Sequence, residues 1–542
     1  MGGNPLSTTN WPKRCLTNIM TLSKWGILGM LMLAIGLLVG RYLVLEDFPD
    51  RTDAPAKRPR PQATIPKVES SRFAWRSPDR EPSSSTDKPA PRGAIPGQHT
   101  VTFVDADAMK RFLESLEGTS MRVMDSMEVL NTLRLSAADF SELDGLLDGS
   151  EEIGYIFAAM IPGKGTVQPG ALAFGSHYLA WLGAEGERAA WGSDVRVAVL
   201  DTGVIPGTPF YQAVYHQHLV AYSGSLQGMN NHGTAVASLI AGENGLAPNA
   251  SILSYRVAGD DGSSDTFLIA QAVLAAANAG ADVINISLGA SGQSRILEAA
   301  VNYATDAGVV VVASAGNSGD DYLLYPAAYE NVIGVGAVDA RGEHLDFSNT
   351  GNLSIVAPGL GLTSNVGESG RISFSGTSAS APMVSGAIAA MMSQQNTNAL
   401  GAWQMVQANA NEAGAPGSDP AYGAGILDLG RVLNLGKPGI HDLALASNHL
   451  AIHTSGNTVL QVTVENRGTA AVINAPVTVQ TPLGTNHLNV TTLAPGQIQT
   501  FELPIGRVEN SVRIESRVAA GEGLADQNPD DNIRVDVLSR AE

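Results

Sequence analysis

Cysteine is nearly absent from this 542-residue chain, and Cys15 is the only one. No intrachain disulfide can form, and everything after residue 15 is free of thiol chemistry. Stability must therefore come from core packing or bound metal. Positive charge is also scarce, with 33 Lys+Arg against 52 Asp+Glu and a net charge of −19. The deficit is uneven. Residues 1–100 hold 14 basic and 8 acidic residues (+6), and the remaining 442 hold 19 and 44 (−25). An acidic globular part lacks the basic patch that neutralises phosphates, which argues against nucleic acid as a partner. Charged residues make up 16% and hydrophobic residues 44%, a globular composition. The length exceeds what one hydrophobic core organises, so several domains are expected.

One apolar run without a charge organises the N-terminus. Trp25 to Gly40 carries no charge, Arg41 closes it, and Tyr42-Leu43-Val44-Leu45 follows. Lys13, Arg14 and Lys24 precede it, and no acidic residue occurs before Glu46. Positive charge ahead of an apolar run holds residues 1–24 in the cytoplasm. Residues 25–45 then act as a membrane signal-anchor or a signal peptide, since both share this pattern. The expected location is outside the cytoplasm, anchored at the membrane or released after processing. Residues 46–99 are rich in Pro, Ser, Arg and Lys, with little to bury, and read as a disordered linker.

Three further units follow. In 100–165, Val101 to Val104 reads as a strand. Met109, Phe112, Leu113 and Leu116 line a helix face that stops at Gly118. Met121 to Leu135 reads as extended. Ser136-x-x-Asp139 ahead of Phe140, Leu143 and Leu147 predicts a second helix ending at Gly149, and Ile153 to Ile161 a last strand. That order predicts a small ferredoxin-like α+β unit. From 178 to 435, short Val/Ile-rich runs at 195–200, 283–288, 309–312 and 332–335 alternate with helical stretches at 267–279 and 295–307. This predicts an α/β domain with a parallel sheet flanked by helices. From 440 to 542 the period becomes two: Leu460, Val462 and Val464 alternate with polar residues, as do Ile533, Val535 and Val537. An all-β sandwich is expected there.

Four segments of the α/β domain carry chemistry. Val197 to Leu200 is a strand run ending in Asp201-Thr202-Gly203, and Asn231-His232-Gly233-Thr234 opens a helical run. Ala313-Ser314-Ala315-Gly316-Asn317 follows a buried strand, and Ser375-Gly376-Thr377-Ser378 precedes a small-residue helix. A serine is inert unless a neutral imidazole can take its proton, and a carboxylate fixes that imidazole's tautomer. A helix start at Ser378 also offers an amide to an oxyanion.

The order Asp, His, Ser with these flanking residues, separated by 31 and 146 positions, resembles the subtilases over roughly 178–435. The resemblance implies a serine endopeptidase working through an acyl-enzyme and made as a self-processing precursor. It implies Asp201 as orienting acid, His232 as base and acid, Ser378 as nucleophile and Asn317 as oxyanion-hole donor. Loss of one such donor in a subtilisin costs about 2.7–4 kcal/mol. Ser287-Leu288-Gly289 and Gly262-Ser263-Ser264 match the two edges that pair with substrate backbone. Leu324 falls where relatives carry a small residue at the floor of the specificity pocket, so it either limits that pocket or packs in the core.

The chemistry needs no cofactor. The short span Glu243 to Leu246 lacks the calcium loop of many relatives. Structural calcium elsewhere is conceivable, but no metal ligand is assigned. Ala379 and Met383 stand where relatives commonly carry Met and His. The 100–165 unit resembles a subtilase propeptide, with self-cleavage expected within 160–178. The 440–542 unit resembles a CARDB-type sandwich with a binding or spacing role, for which a protein or surface partner is conceivable. The other expected partners are protein or peptide substrates, and the membrane through the N-terminal segment.

Overall fold

The computed structural model describes residues 90–539, apart from 138–139, 185, 221–229, 368–369, 453–457, 507, 509–510 and 522–523. The run at 25–45 and residues 46–89 of the linker expected at 46–99 lie outside the described residues, while the end of that linker is not disordered, because residues 94–99 pair as part of the first strand. Among those described, no helix is long and apolar enough to cross a membrane.

The first unit begins with β1 (Ala94–Thr102) and α1 (Ala106–Ser115), followed by β2 (Arg122–Met127), β3 (Thr132–Ser136) and β4 (Glu152–Met160). Asp105 caps α1 by accepting from the Ala108 amide at 2.7 Å. Met109 and Phe112 are buried while Leu113 is exposed, so the helix face is narrower than its spacing suggests. The sheet runs β4-β1-β3-β2 with every pair antiparallel. The second expected helix is absent: residues 141–146 are turns. Leu143 donates to Phe140 O and Leu146 to Leu143 O, i to i+3 bonds that never convert to the α pattern. Phe140 and Leu143 are buried in the unit's core. Gly145 and the brevity of the segment leave too few residues to nucleate a helix once those two anchors are placed.

The central domain is built on a seven-stranded parallel sheet. Its strands are β5 (Arg196–Asp201), β6 (Val214–His218), β7 (Ser251–Arg256), β9 (Val283–Ile286), β11 (Val310–Ser314), β12 (Val332–Val338) and β13 (Ile355–Pro358). Their spatial order is β13-β12-β11-β9-β5-β7-β6. Between them lie β8 (Ser263–Asp265) and β10 (Gly289–Ala290), which sit outside this sheet. After them comes the hairpin β14 (Leu362–Val366) and β15 (Gly370–Phe374). The helices are α2 (Tyr178–Trp181), α3 (Asn230–Ala241), α4 (Thr266–Asn278), α5 (Arg295–Asp306), α6 (Thr377–Gln394), α7 (Ala399–Ala408) and α8 (Leu429–Leu433). One core joins α3 and α6 to one face of the sheet, and a second joins α4 and α5 to the other. Both faces are covered, so the strands are continuous apolar runs rather than alternating ones.

The C-terminal unit packs two antiparallel sheets around a shared core. One sheet is β16 (Leu443–Ile452), β17 (Thr458–Asn466) and β20 (Ile498–Gly506). The other is β18 (Val472–Thr481), β19 (Gly484–Leu493), β21 (Ser511–Val518) and β22 (Ile533–Ser539). Leu460, Val462 and Val464 point inward, as their alternation predicts. On β22 the alternation reads the other way. Ile533, Val535 and Val537 are exposed, whereas Arg534 donates to Ala446 O and Asp536 accepts from Asn448 Nδ2, both at 2.9 Å. Polar ties to β16 decide which side of this strand faces inward.

The sandwich docks on the central domain through Glu465 at the end of β17. Its carboxylate pairs with Arg431 of α8 and, at 3.0 Å, with Arg467, and it accepts from the Glu412 amide at 3.0 Å. Arg467 continues to Asp531 at 2.9 Å. Burial, with the nearby Glu465 carboxylate adding to it, pushes Glu412 up to about 7. A carboxyl raised in the folded state contributes stability that is full below its unfolded value and is lost as pH rises through 7. Glu412→Gln keeps an acceptor for the Gly417 amide but removes the charge. The melting-temperature advantage of this variant over wild type should therefore grow between pH 5 and pH 8. A pH-independent difference would show that Glu412 is ionised throughout.

Candidate active site

The carboxyl ends of the parallel strands converge on one region, where such sheets place their chemistry. Asp201 is the last residue of β5 and is fully buried. His232 lies in the first turn of α3, and its Nδ1 is 2.8 and 3.0 Å from the two Asp201 carboxylate oxygens. This close approach depends on Gly233, because a Cβ there would lie 2.5 Å from Gly203 O and 3.1 Å from Asp201 Cβ. The ring of Phe374 meets the His232 imidazole edge-on at 5.1 Å and shields it. With Nδ1–H donated to the carboxylate, Nε2 is left as the basic nitrogen.

Ser378 is the second residue of α6 and is 2% exposed. Its Oγ is buried with no hydrogen-bond partner among the described residues. Gly376 precedes the helix at φ +116, and a Cβ there would fall 2.7 Å from Asn317 Nδ2. Only glycine lets the helix start so close to that amide. Asn317 is oriented by Thr377, whose amide and hydroxyl donate to Asn317 Oδ1 at 2.9 and 2.8 Å. The amide nitrogen therefore faces outward, 3.0 Å from Gly163 O and 3.4 Å from Pro162 O.

Those two carbonyls arrive because β4 runs antiparallel between β8 and β10. Met160 pairs with Gly289 and Ala159 with Ala290 on one side. On the other, Met160 pairs with Ser263, Ala159 with Ser264 and Ala158 with Asp265. Gly262 O accepts from the Ile161 amide at 3.1 Å. Ala159 and Ile161 are buried and Met160 is exposed. Beyond the carbonyls the chain stays tied to the central domain. Gln168 bonds His344 O and the Asp346 amide, and the Leu172 amide bonds Asp339. The two expected edges thus embrace one extended segment of the same chain. Ser287 and Leu288 do not join that ladder. Leu288 is fully buried, and Ser287 Oγ lies beneath α6, 3.3 Å from Ser378 O.

The model of the subtilase family (Peptidase S8) matches residues 192–425. The alkaline elastase YaB of Bacillus sp. is 31% identical over 361 residues, covering 61% of this chain and 90% of its own. The chain belongs to the subtilase family. The alkaline protease of Alkalihalobacillus alcalophilus is 41% identical over 251 residues, 44% of this chain, and the match spans 64% of that protease's length. The epidermin leader peptide processing serine protease of Staphylococcus aureus shares the fold at a TM-score of 0.52 and 20% identity, covering 62% of this chain and 99% of that one. Residues 192–425 therefore carry the fold of a subtilisin-like serine protease.

Within this subtilase, Leu324 is placed between two glycines of the cleft. A Cβ on Gly289 would lie 2.5 Å from Leu324 Cδ1, and one on Gly316 would lie 3.1 Å from it. The side chain thus takes up space beside the edge strand and beside Asn317. Sequence reading passed over Thr377 and Asn349. Asn349 is fully buried and holds the loop after Asn317, accepting from the Ser318 amide at 2.9 Å and donating to Tyr322 O at 3.0 Å. Both residues act through backbone and amide contacts across 27 or more positions, which no local motif announces. Thr377→Val removes the hydroxyl donor but keeps shape and amide. Its kcat should fall about tenfold with KM little changed, one lost hydrogen bond to an orienting acceptor. An equal rise in KM would instead mean a general loosening of the cleft.

Proposed function

We propose that this subtilase is a serine endopeptidase whose first substrate is its own chain. Ser378 Oγ attacks the scissile carbonyl and its proton passes to His232 Nε2. Asp201 holds the imidazole by Nδ1 and stabilises the imidazolium that forms. Asn317 Nδ2 and the Ser378 amide bind the oxyanion. The leaving amine takes the proton from His232, an acyl-enzyme remains, and water hydrolyses it through the same base. No cofactor enters this chemistry, because side chains and amides supply both proton transfer and charge stabilisation.

The observation that carries this reading is β4 clamped antiparallel between β8 and β10, delivering the carbonyls of Pro162 and Gly163 to Asn317. Main-chain pairing on two sides recognises any extended peptide, which suits protein substrates of varied sequence. The same pairing makes the 100–165 unit an inhibitor until it leaves. The apolar run at 25–45, preceded by basic residues, supports a location outside the cytoplasm on a membrane tether. Self-cleavage after Pro162 or Gly163 severs the peptidase from that tether. The C-terminal sandwich, CARDB-like in its sequence, serves a binding or spacing role toward a protein or surface partner.

Intact mass of the full chain over time tests the reading. Wild type should release a fragment ending at Pro162 or Gly163, and Ser378→Ala should remain whole. Cutting in both chains, or in neither, would remove self-processing from the account.

Leu324 carries the specificity part of the proposal. It fills the pocket beside Gly289 and Gly316, so residues as small as glycine, alanine or proline are favoured before the scissile bond. Leu324→Gly should raise kcat/KM for peptides with Phe or Leu there by tenfold or more, given about 1.5–3 kcal/mol for burying such a side chain. A wild-type enzyme that already cuts best after Phe would show that Leu324 does not close the pocket.

A further inference from the structure

The precursor unit meets the cleft rim through a cation of β3. Arg134 of β3 places Nη2 2.9 Å from Asp265 Oδ2, with the two side chains 12% and 10% exposed. Its Nε and Nη2 also donate to Gln98 Oε1 at 2.9 and 2.6 Å. Its Cζ lies 5.5 Å from the centroid of the Phe267 ring, within cation–π range. The socket therefore has a carboxylate wall and an aromatic wall, both belonging to the peptidase, while its occupant belongs to the segment that self-cleavage detaches.

Asp265 has a second duty, and the two can be separated. Its Oδ1 caps α4, accepting from the Phe267 and Leu268 amides at 2.9 Å each. Capping needs only a side-chain oxygen, and asparagine or serine supplies it equally well. The negative charge is superfluous for the cap, and Oδ2 is directed at Arg134. Asp265 is also the last residue of β8, opposite Ala158 in the ladder. Whatever chain replaces β4 in the cleft passes directly beside it. The peptidase side of the molecule is acidic, which favours a cationic occupant over any other.

We propose that Asp265 and Phe267 form a guanidinium socket, filled by Arg134 in the precursor and, after processing, by an arginine of the protein substrate lying upstream of the scissile bond. The proposal rests on the peptidase reading above. It adds a charge preference beyond the backbone ladder and the Leu324 pocket: substrates with arginine at the places held here by Tyr155 to Ala158 are cut preferentially.

The test uses processed enzyme from the full chain and matched peptides carrying Arg or Gln at each of those four places. At one of them wild type should show a kcat/KM ratio of Arg to Gln of about five. The ratio should fall toward one in Asp265→Asn, in Asp265→Ser, and for wild type at about 0.5 M salt. The ratio is read within each enzyme, so a general loss of activity in a variant does not affect it. A wild-type ratio of one at all four places overturns the socket, as does a preference that survives in both variants. Failure to cut any of the peptides overturns the peptidase reading and the socket with it.

Discussion

Unpaired backbone is the constraint on which this structure turns. A peptidase that accepts extended chains must keep two strand edges open, and open edges present rows of amides and carbonyls that demand partners. Here β8 and β10 offer two such edges, and β4 satisfies both at once. The ladder fixes the 100–165 unit on the peptidase. It also sets which side chains of β4 are buried, and it carries the chain forward until two carbonyls lie against Asn317. Packing of the 100–165 unit and the approach of Pro162 and Gly163 to Asn317 rest on the same set of hydrogen bonds.

The geometry around Asp201, His232 and Ser378 is built from elements that each had to stop in the right place. β5 ends at Asp201, α3 begins near His232, and α6 begins beside Ser378. Small residues make these ends compatible. Gly233 lets a helix start against a strand end, and Gly376 lets another start against the amide it serves. Thr377 then settles the orientation of Asn317, whose two ends have opposite hydrogen-bonding character. The polar groups are buried but largely matched, as low-dielectric sites require.

The C-terminal sandwich is joined to the peptidase by buried charge, not by apolar contact alone. Glu465 sits between Arg431 and Arg467, and Arg467 continues to Asp531. Asp442, pushed up to about 7 by burial and by the Asp531 and Asp526 carboxylates, lies at the same junction. Such a network costs desolvation and returns little net stability when intact, yet removing one partner strands a buried charge. The junction is thereby specific in register and sensitive to protonation.

Much of this protein was determined by its sequence alone. Short Val/Ile runs between glycine-stopped helices could only be a covered parallel sheet, because both faces of each strand are apolar. Asp201, His232, Asn317 and Ser378 stood out because each sits in a local motif at the end of an element, and the fold brings Asp201 to His232 and Asn317 to Thr377 beside Ser378. Tertiary structure decided what local patterns cannot carry. The turns at 141–146 replaced a predicted helix because Phe140 and Leu143 gain more from the core than from a further helical turn. β22 turned its apolar row outward because Arg534 and Asp536 had partners on β16. Ser287 and Leu288 lie outside the ladder, Leu288 buried in the core and Ser287 against Ser378 O. Thr377, Asn349 and the pairing of Arg134 with Asp265 were invisible beforehand, since each acts on a residue at least 30 positions away. Local chemistry is written along the chain, whereas contacts across it exist only once the backbone hydrogen bonds of the edges have been satisfied.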